Sequence, residues 1–192
     1  MIRLAGYAGL ALLVVLWLLP LRDWVGADFP HHMLRHMGLV AVATPLLVLG
    51  FPRVTQIFAI SPLFGAVIEF MVVWGWHLPA LHARADMGDW GLVAEQASFF
   101  IAGLLVWAGA LRGGHPLAGA GGLLLTSMHM TLLGALIILA PRDLYAEICG
   151  RAADLTGQQL GGVLMLGIGT PVYLIAGLVL VGQALDERKV TA

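Results

Sequence analysis

Charged residues are absent from several long windows of this chain, and that absence limits the folds open to it more than any other feature. No Asp, Glu, Lys or Arg occurs over residues 4–21, 36–52, 96–111, 113–141 or 155–185. A helix needs about 20 mainly apolar residues to cross a bilayer core. The two longest windows exceed that length and the shorter ones come close to it. Only 11% of the residues are charged and the mean hydropathy is +0.92, whereas soluble domains carry roughly 25% charged residues. Most of the surface must therefore face something other than water. The expected fold class is an all-α membrane protein, a bundle of about six transmembrane helices in contact with membrane lipid.

Local signals divide the chain into spans at about 4–21, 31–50, 62–78, 90–111, 117–139 and 158–184, forming one polytopic membrane domain over 1–192. Pro30 suits the first turn of a helix, where its missing N–H is not needed, and Ser61-Pro62 reads as an N-cap followed by proline at the next position. Pro52, Pro79 and Pro141 close spans. Residues 53–60 read as an interfacial turn, and 142–156 as the most polar loop. Gly121-Gly122, Gly161-Gly162 and Gly167/Gly169 allow helices to approach closely in lipid. The apolar run after Met1–Arg3 is longer than a signal-peptide core, so it reads as an uncleaved span rather than a leader cut near Val25-Gly26-Ala27. No polar stretch is long enough to bury a core of its own.

Other classes are excluded by what is missing. The net charge is −1 and there is no basic run, so nucleic acid is not a partner. The single Cys149 permits neither an internal disulfide nor a paired-cysteine metal motif. Lys and Arg divide equally between the two sides of a six-span topology. Most acidic residues fall on the side opposite the termini, which favours cytoplasmic termini.

The chemistry is concentrated in His31-His32-Met33-Leu34-Arg35-His36-Met37. Residues four apart share a helix face, so His32 pairs with His36 and Met33 with Met37 on an adjacent face. Imidazole with thioether suits copper, because soft sulfur favours Cu(I) and imidazole binds either oxidation state. His77 ends the third span, on one face with Val73 and Glu69. A carboxylate inside a span is costly and reads by default as functional. Glu95 and Gln96 open the fourth span, and His129 lies in the fifth between Met128 and Met130. By topology the start of span two, the end of span three, and the starts of spans four and six share one membrane side. His32, His36, His77, Glu95 and Gln158 are therefore expected at one level of the bundle. His82, which follows Pro79, reads as a peripheral ligand or as solvated.

These residues resemble a known family. The run His32–Met37, the run Ala43-Thr44-Pro45-Leu46-Leu47-Val48-Leu49-Gly50, and Trp76-His77-Leu78-Pro79-Ala80-Leu81 are similar to the multi-pass CtaG family of cytochrome c oxidase assembly factors. Further matches are Ser98-Phe99, Leu133-Gly134-Ala135-Leu136 and Gln158-Gln159-Leu160-Gly161-Gly162. The resemblance implies a protein of the bacterial inner membrane that matures haem–copper oxidases by handling copper. It implies His32, His36 and His77 as the functional histidines. Two positions depart from the family pattern: Gln96 stands where a histidine often follows the glutamate, and Gly157 where an aspartate often precedes the glutamine pair.

The leading expectation is a copper-binding assembly factor, not an enzyme. Its metal ligands would be drawn from His32, His36, His77, Met33, Met37, His129 and Glu95. Its partners would be copper ion and either a haem–copper oxidase subunit or a copper carrier. Whether it forms a homo-oligomer is left open. The rival readings are a membrane cytochrome with two histidines on haem iron, or a small proton-coupled transporter centred on Glu69 and His129.

Overall fold

The computed structural model describes residues 2–86 and 88–191, all helix, turn or loop, with no strand among them. The first apolar run forms α1 (Ile2–Leu18), which stops before Pro20 instead of reaching residue 21, as the restriction on the residue preceding proline requires. Its 17 residues extend about 25 Å, short of a full bilayer core. The short α2 (Leu21–Val25) follows and ends on Gly26 in the left-handed region (φ 73°).

The second segment is one helix interrupted by a wide turn. α3 (Asp28–Met37) passes through a π-helical stretch, Gly38–Ala43, into α4 (Thr44–Gly50). The reason lies in Thr44-Pro45. The Thr44 N–H bonds to Leu39 O, five residues back. In that register the next donor, for the Val40 carbonyl, would be the nitrogen of Pro45, which carries no proton. Val40 O is instead satisfied from the side by Thr44 Oγ1 at 2.5 Å and Trp107 Nε1 at 2.9 Å, while the Tyr173 hydroxyl, 3.3 Å away, gives its proton to Glu69 at 2.7 Å. A buried carbonyl without such partners would be costly, so the segment carrying Trp107 is tied to this turn.

α5 (Pro52–Thr55) and a single 3₁₀ turn (Gln56–Phe58) lead into α6 (Pro62–His77), bent by 75° from them. Ser61 sits at the N-cap position but its side chain makes no capping bond. The buried residues of α6 form one stripe, Pro62, Gly65, Ala66, Glu69, Val73 and His77, the spacing of a single helix face. α7 (Pro79–Asp86) follows, a helix not foreseen from the sequence, and then α8 (Asp89–Arg112) and α9 (Pro116–Leu139). The polar loop holds the one-turn α10 (Ala146–Cys149). The last segment is again interrupted: α11 (Leu155–Leu164), a π-helical stretch Met165–Gly169, and α12 (Thr170–Thr191). Here too a Thr-Pro pair, Thr170-Pro171, follows the wide turn. Thr131 and Thr170 hydroxyls lie 2.7 Å apart, and Ser127 Oγ donates to Thr170 O at 3.2 Å.

Among the described residues four helical segments are long and apolar enough to cross a membrane, or five if the bent pair α5–α6 is taken as one span, and α1 is a shorter apolar helix. This is an all-α membrane protein, with four to five candidate spans where about six were expected. The segment Asp28–Gly50 lies at the centre: 67% of its most apolar window is buried, against 28% for Leu155–Glu187. α1 packs on α4, α6 on α8 and α9, and α11 on α3 and α9. Glycine permits the closest of these approaches: a Cβ on Gly50 would overlap the backbone of Gly6.

Candidate metal centre

The first turns of α3 bring His32 and His36 to one face, as their spacing requires, and the end of α6 brings His77 against them. Ring centroids lie 6.2 Å apart for His32–His36, 5.9 Å for His32–His77 and 5.4 Å for His36–His77. One nitrogen of each comes within 4.8 Å of the others. His36 is fully buried and His77 nearly so, and His36 also meets Phe99 edge-on at 3.9 Å.

The hydrogen bonds define which atoms are available. His77 Nδ1 donates to Val73 O at 2.6 Å, so its proton is on Nδ1 and Nε2 keeps a lone pair. That Nε2, His32 Nε2 and both nitrogens of His36 are buried with no hydrogen-bond partner among the described residues. An unmet buried polar atom costs about 1–3 kcal/mol, and a small ion bound by imidazole would satisfy several at once. The donor chemistry and the orphaned nitrogens therefore fit a metal.

Two hydrogen bonds tie the framework around the rings. Trp76 Nε1 donates to Ser98 Oγ at 2.7 Å, and Ser98 Oγ donates to Glu95 O at 2.8 Å, fastening the end of α6 to the start of α8. Glu95 is buried, with Oε2 3.6 Å from His32 Nδ1 and 3.0 Å from Gln96 Nε2, which donates to it. Gln96, standing where the family pattern often has histidine, thus serves the carboxylate.

Other expected residues are placed differently. Met33 and Met37 are fully buried but face the last segment: a Cβ at Gly161 would lie 3.1 Å from Met33 Cγ, and one at Gly169 would lie 3.2 Å from the Met37 sulfur. His129 is buried deeper in the bundle with its ring edge-on to Phe70 at 5.4 Å. Gln158 does not offer its amide to the histidines. Its Oε1 accepts from Leu144 N at 2.7 Å and its Nε2 donates to Ile137 O at 3.1 Å. Glu69 is fully buried and accepts from the Tyr173 hydroxyl at 2.7 Å.

Two residues at the site, Tyr145 and Asp143, were missed from the sequence, and the open choice for His82 is narrowed: on α7 it is buried rather than solvated, 4.9 Å from His32 and 4.5 Å from Tyr145 between ring centroids. Burial, then His77 and Arg151, hold its imidazole down to about 4 against the opposing Asp143, so the ring is neutral. Tyr145 stacks on Phe29 at 4.9 Å and donates to His77 O at 3.2 Å, closing the polar loop over the cluster. Asp143 anchors that loop by accepting from the backbone N–H of Tyr145, Ala146 and Asp154 at 2.8, 3.0 and 2.9 Å.

The fold and the cluster together define a multi-helix membrane protein that buries a histidine centre at one end of its bundle. A model of the cytochrome c oxidase caa3 assembly factor family matches residues 4–187, nearly the whole chain, and the chain belongs to that family. No curated protein and no solved structure matches it.

Proposed function

We propose that this assembly factor holds copper at His32, His36 and His77, on the outer side of a bacterial inner membrane, and passes it to a haem–copper oxidase subunit or receives it from a copper carrier. The observation that carries the reading is the convergence of three imidazole nitrogens within 4.8 Å of one another, several of them buried without other partners. Imidazole binds copper in either oxidation state. Met37 adjoins His36 but packs against the last segment at Gly169, so the imidazoles are the ligands of this reading. His129 is a further donor deeper in the bundle, and Glu95 balances the ion's charge through His32. The role is delivery rather than catalysis.

Convergence on one point favours an ion over haem, whose two axial histidines must stand on opposite faces of a macrocycle. The test is metal analysis with an absorption spectrum on detergent-purified protein, wild type beside His32→Ala/His36→Ala, with oxidase activity measured in cells carrying each. Near-stoichiometric copper and full oxidase activity, both lost in the variant, are expected. Absence of copper from the wild type, together with full oxidase activity in the variant, would overturn the reading. A Soret band would replace it with the cytochrome.

A further inference from the structure

We propose that His82, Glu95 and His32 form a second site, on the solvent side of the histidine triad, through which a divalent cation enters. The inference rests on reading the triad as an ion site and adds the route to it. One donor atom from each of His32, His82 and Glu95 lies within 4.8 Å of the other two. His32 therefore belongs to both groups. Its Nδ1 is 3.6 Å from Glu95 Oε2, while its Nε2 is buried and unmet. His82 Nδ1 is likewise buried without a hydrogen-bond partner among the described residues.

A cavity of about 240 Å³ reaches this group, lined among others by Arg22, Asp28, His32, His82 and Glu95. Arg22 and Asp28, paired at 2.6 Å, are 68% and 50% exposed, whereas Glu95 is 1% exposed. The cavity thus runs from an open rim to a buried floor where the three donors meet.

The two groups differ in the way a route requires. Two imidazoles and a carboxylate offer a negative charge and mixed nitrogen–oxygen donors, suited to a divalent ion such as Cu(II) or Zn(II). The inner triad is all imidazole and carries no charge when neutral. An ion moving inward exchanges His82 and the carboxylate for His36 and His77, and the His32 ring, common to both groups, offers it a nitrogen at either one. Only ligands are exchanged, and no electron is transferred. The competing reading is that His82 simply fills space between Phe29 and Tyr145, at 5.6 and 4.5 Å. His82→Phe separates the two, since it keeps an aromatic ring there and removes the nitrogens.

The experiment uses the full chain in detergent, with Zn(II) and Cu(II) as probes. The His36→Ala/His77→Ala variant lacks the inner triad and is expected to keep a single Zn(II). Adding His82→Phe is expected to weaken that binding about tenfold or more. In an otherwise wild-type chain, His82→Phe is expected to slow Cu(II) loading by a similar factor while the final copper content is unchanged. His82→Gln is run beside it, in case the phenylalanine variant does not fold. Equal Zn(II) affinity with and without His82, or wild-type loading rates in both His82 variants, would overturn the entry site. Should the wild type take up no copper while the inner-triad variant still holds Zn(II) through His82, the copper reading falls and the entry site stands.

Discussion

The Trp107 indole donates to the Val40 carbonyl at 2.9 Å, joining α8 to the wide turn of the central segment. That turn sets the rotation of His32 and His36 relative to everything below it, because each residue inserted into a helix turns the preceding part by about 100°. Widened turns of this kind recur at functional sites, and here Pro45 supplies the cause.

Removing that donor should loosen the turn without leaving the carbonyl unmet, since the Thr44 hydroxyl also donates to Val40 O. Trp107→Phe is expected to destabilise the protein by about 1 kcal/mol, the scale of one hydrogen bond in a membrane interior. Thermal melting in detergent reads this directly. An unchanged midpoint would mean that the Thr44 hydroxyl alone holds the carbonyl.

Gly161 is where the last segment presses on the histidine helix. A Cβ there would overlap the Phe29 ring and stand 3.1 Å from Met33 Cγ, and Phe29 stacks on His32 at 6.0 Å. Gly161→Ala should displace α3, costing about 1–3 kcal/mol by overpacking and lowering copper content and oxidase assembly. Gly167→Ala, with nothing within 4 Å of its Cβ, is the matched control. Equal metal content in the two would show that the contact does not position His32.

The Asp143 carboxyl ties the loop that carries Tyr145. Burial pushes its pKa up, but the backbone N–H groups of Asp154, Tyr145 and Ala146, with Arg151, outweigh that and hold it below its ordinary value. A depressed carboxyl stabilises the fold fully above its unfolded value of about 4, and the contribution is lost only as pH falls through the lower folded value. The loop over 142–156 should therefore resist protease at pH 5 as well as at pH 7. Asp143→Ala, which strands three backbone donors, should be cleaved there at both, with a stability loss of roughly 3 kcal/mol. Equal cleavage of wild type and variant would remove the anchoring role.

Much of the cluster was legible without coordinates because it follows from helical spacing and topology. His32 and His36 lie four apart, His77 ends one span and Glu95 begins the next. The methionine pair shares that spacing but turns toward Gly161 and Gly169, a distinction that depends on which neighbour occupies each side of α3. Gln158 could not be assigned either. An amide beginning a span can face a site or bond a loop, and only the path of residues 142–156 decided for the loop.

What the sequence determined by itself is the membrane-spanning helical architecture and the level at which the histidines stand. Charge-free windows, prolines and fixed helical periods act locally, over a few turns. Tertiary structure alone decided the rotation of each helix, the distant donor that meets the Val40 carbonyl, and the burial of His82 under Tyr145. Those depend on contacts between residues far apart in the chain, such as Trp107 with Val40 and Tyr145 with His77, and no local pattern encodes which distant donor will reach a given carbonyl.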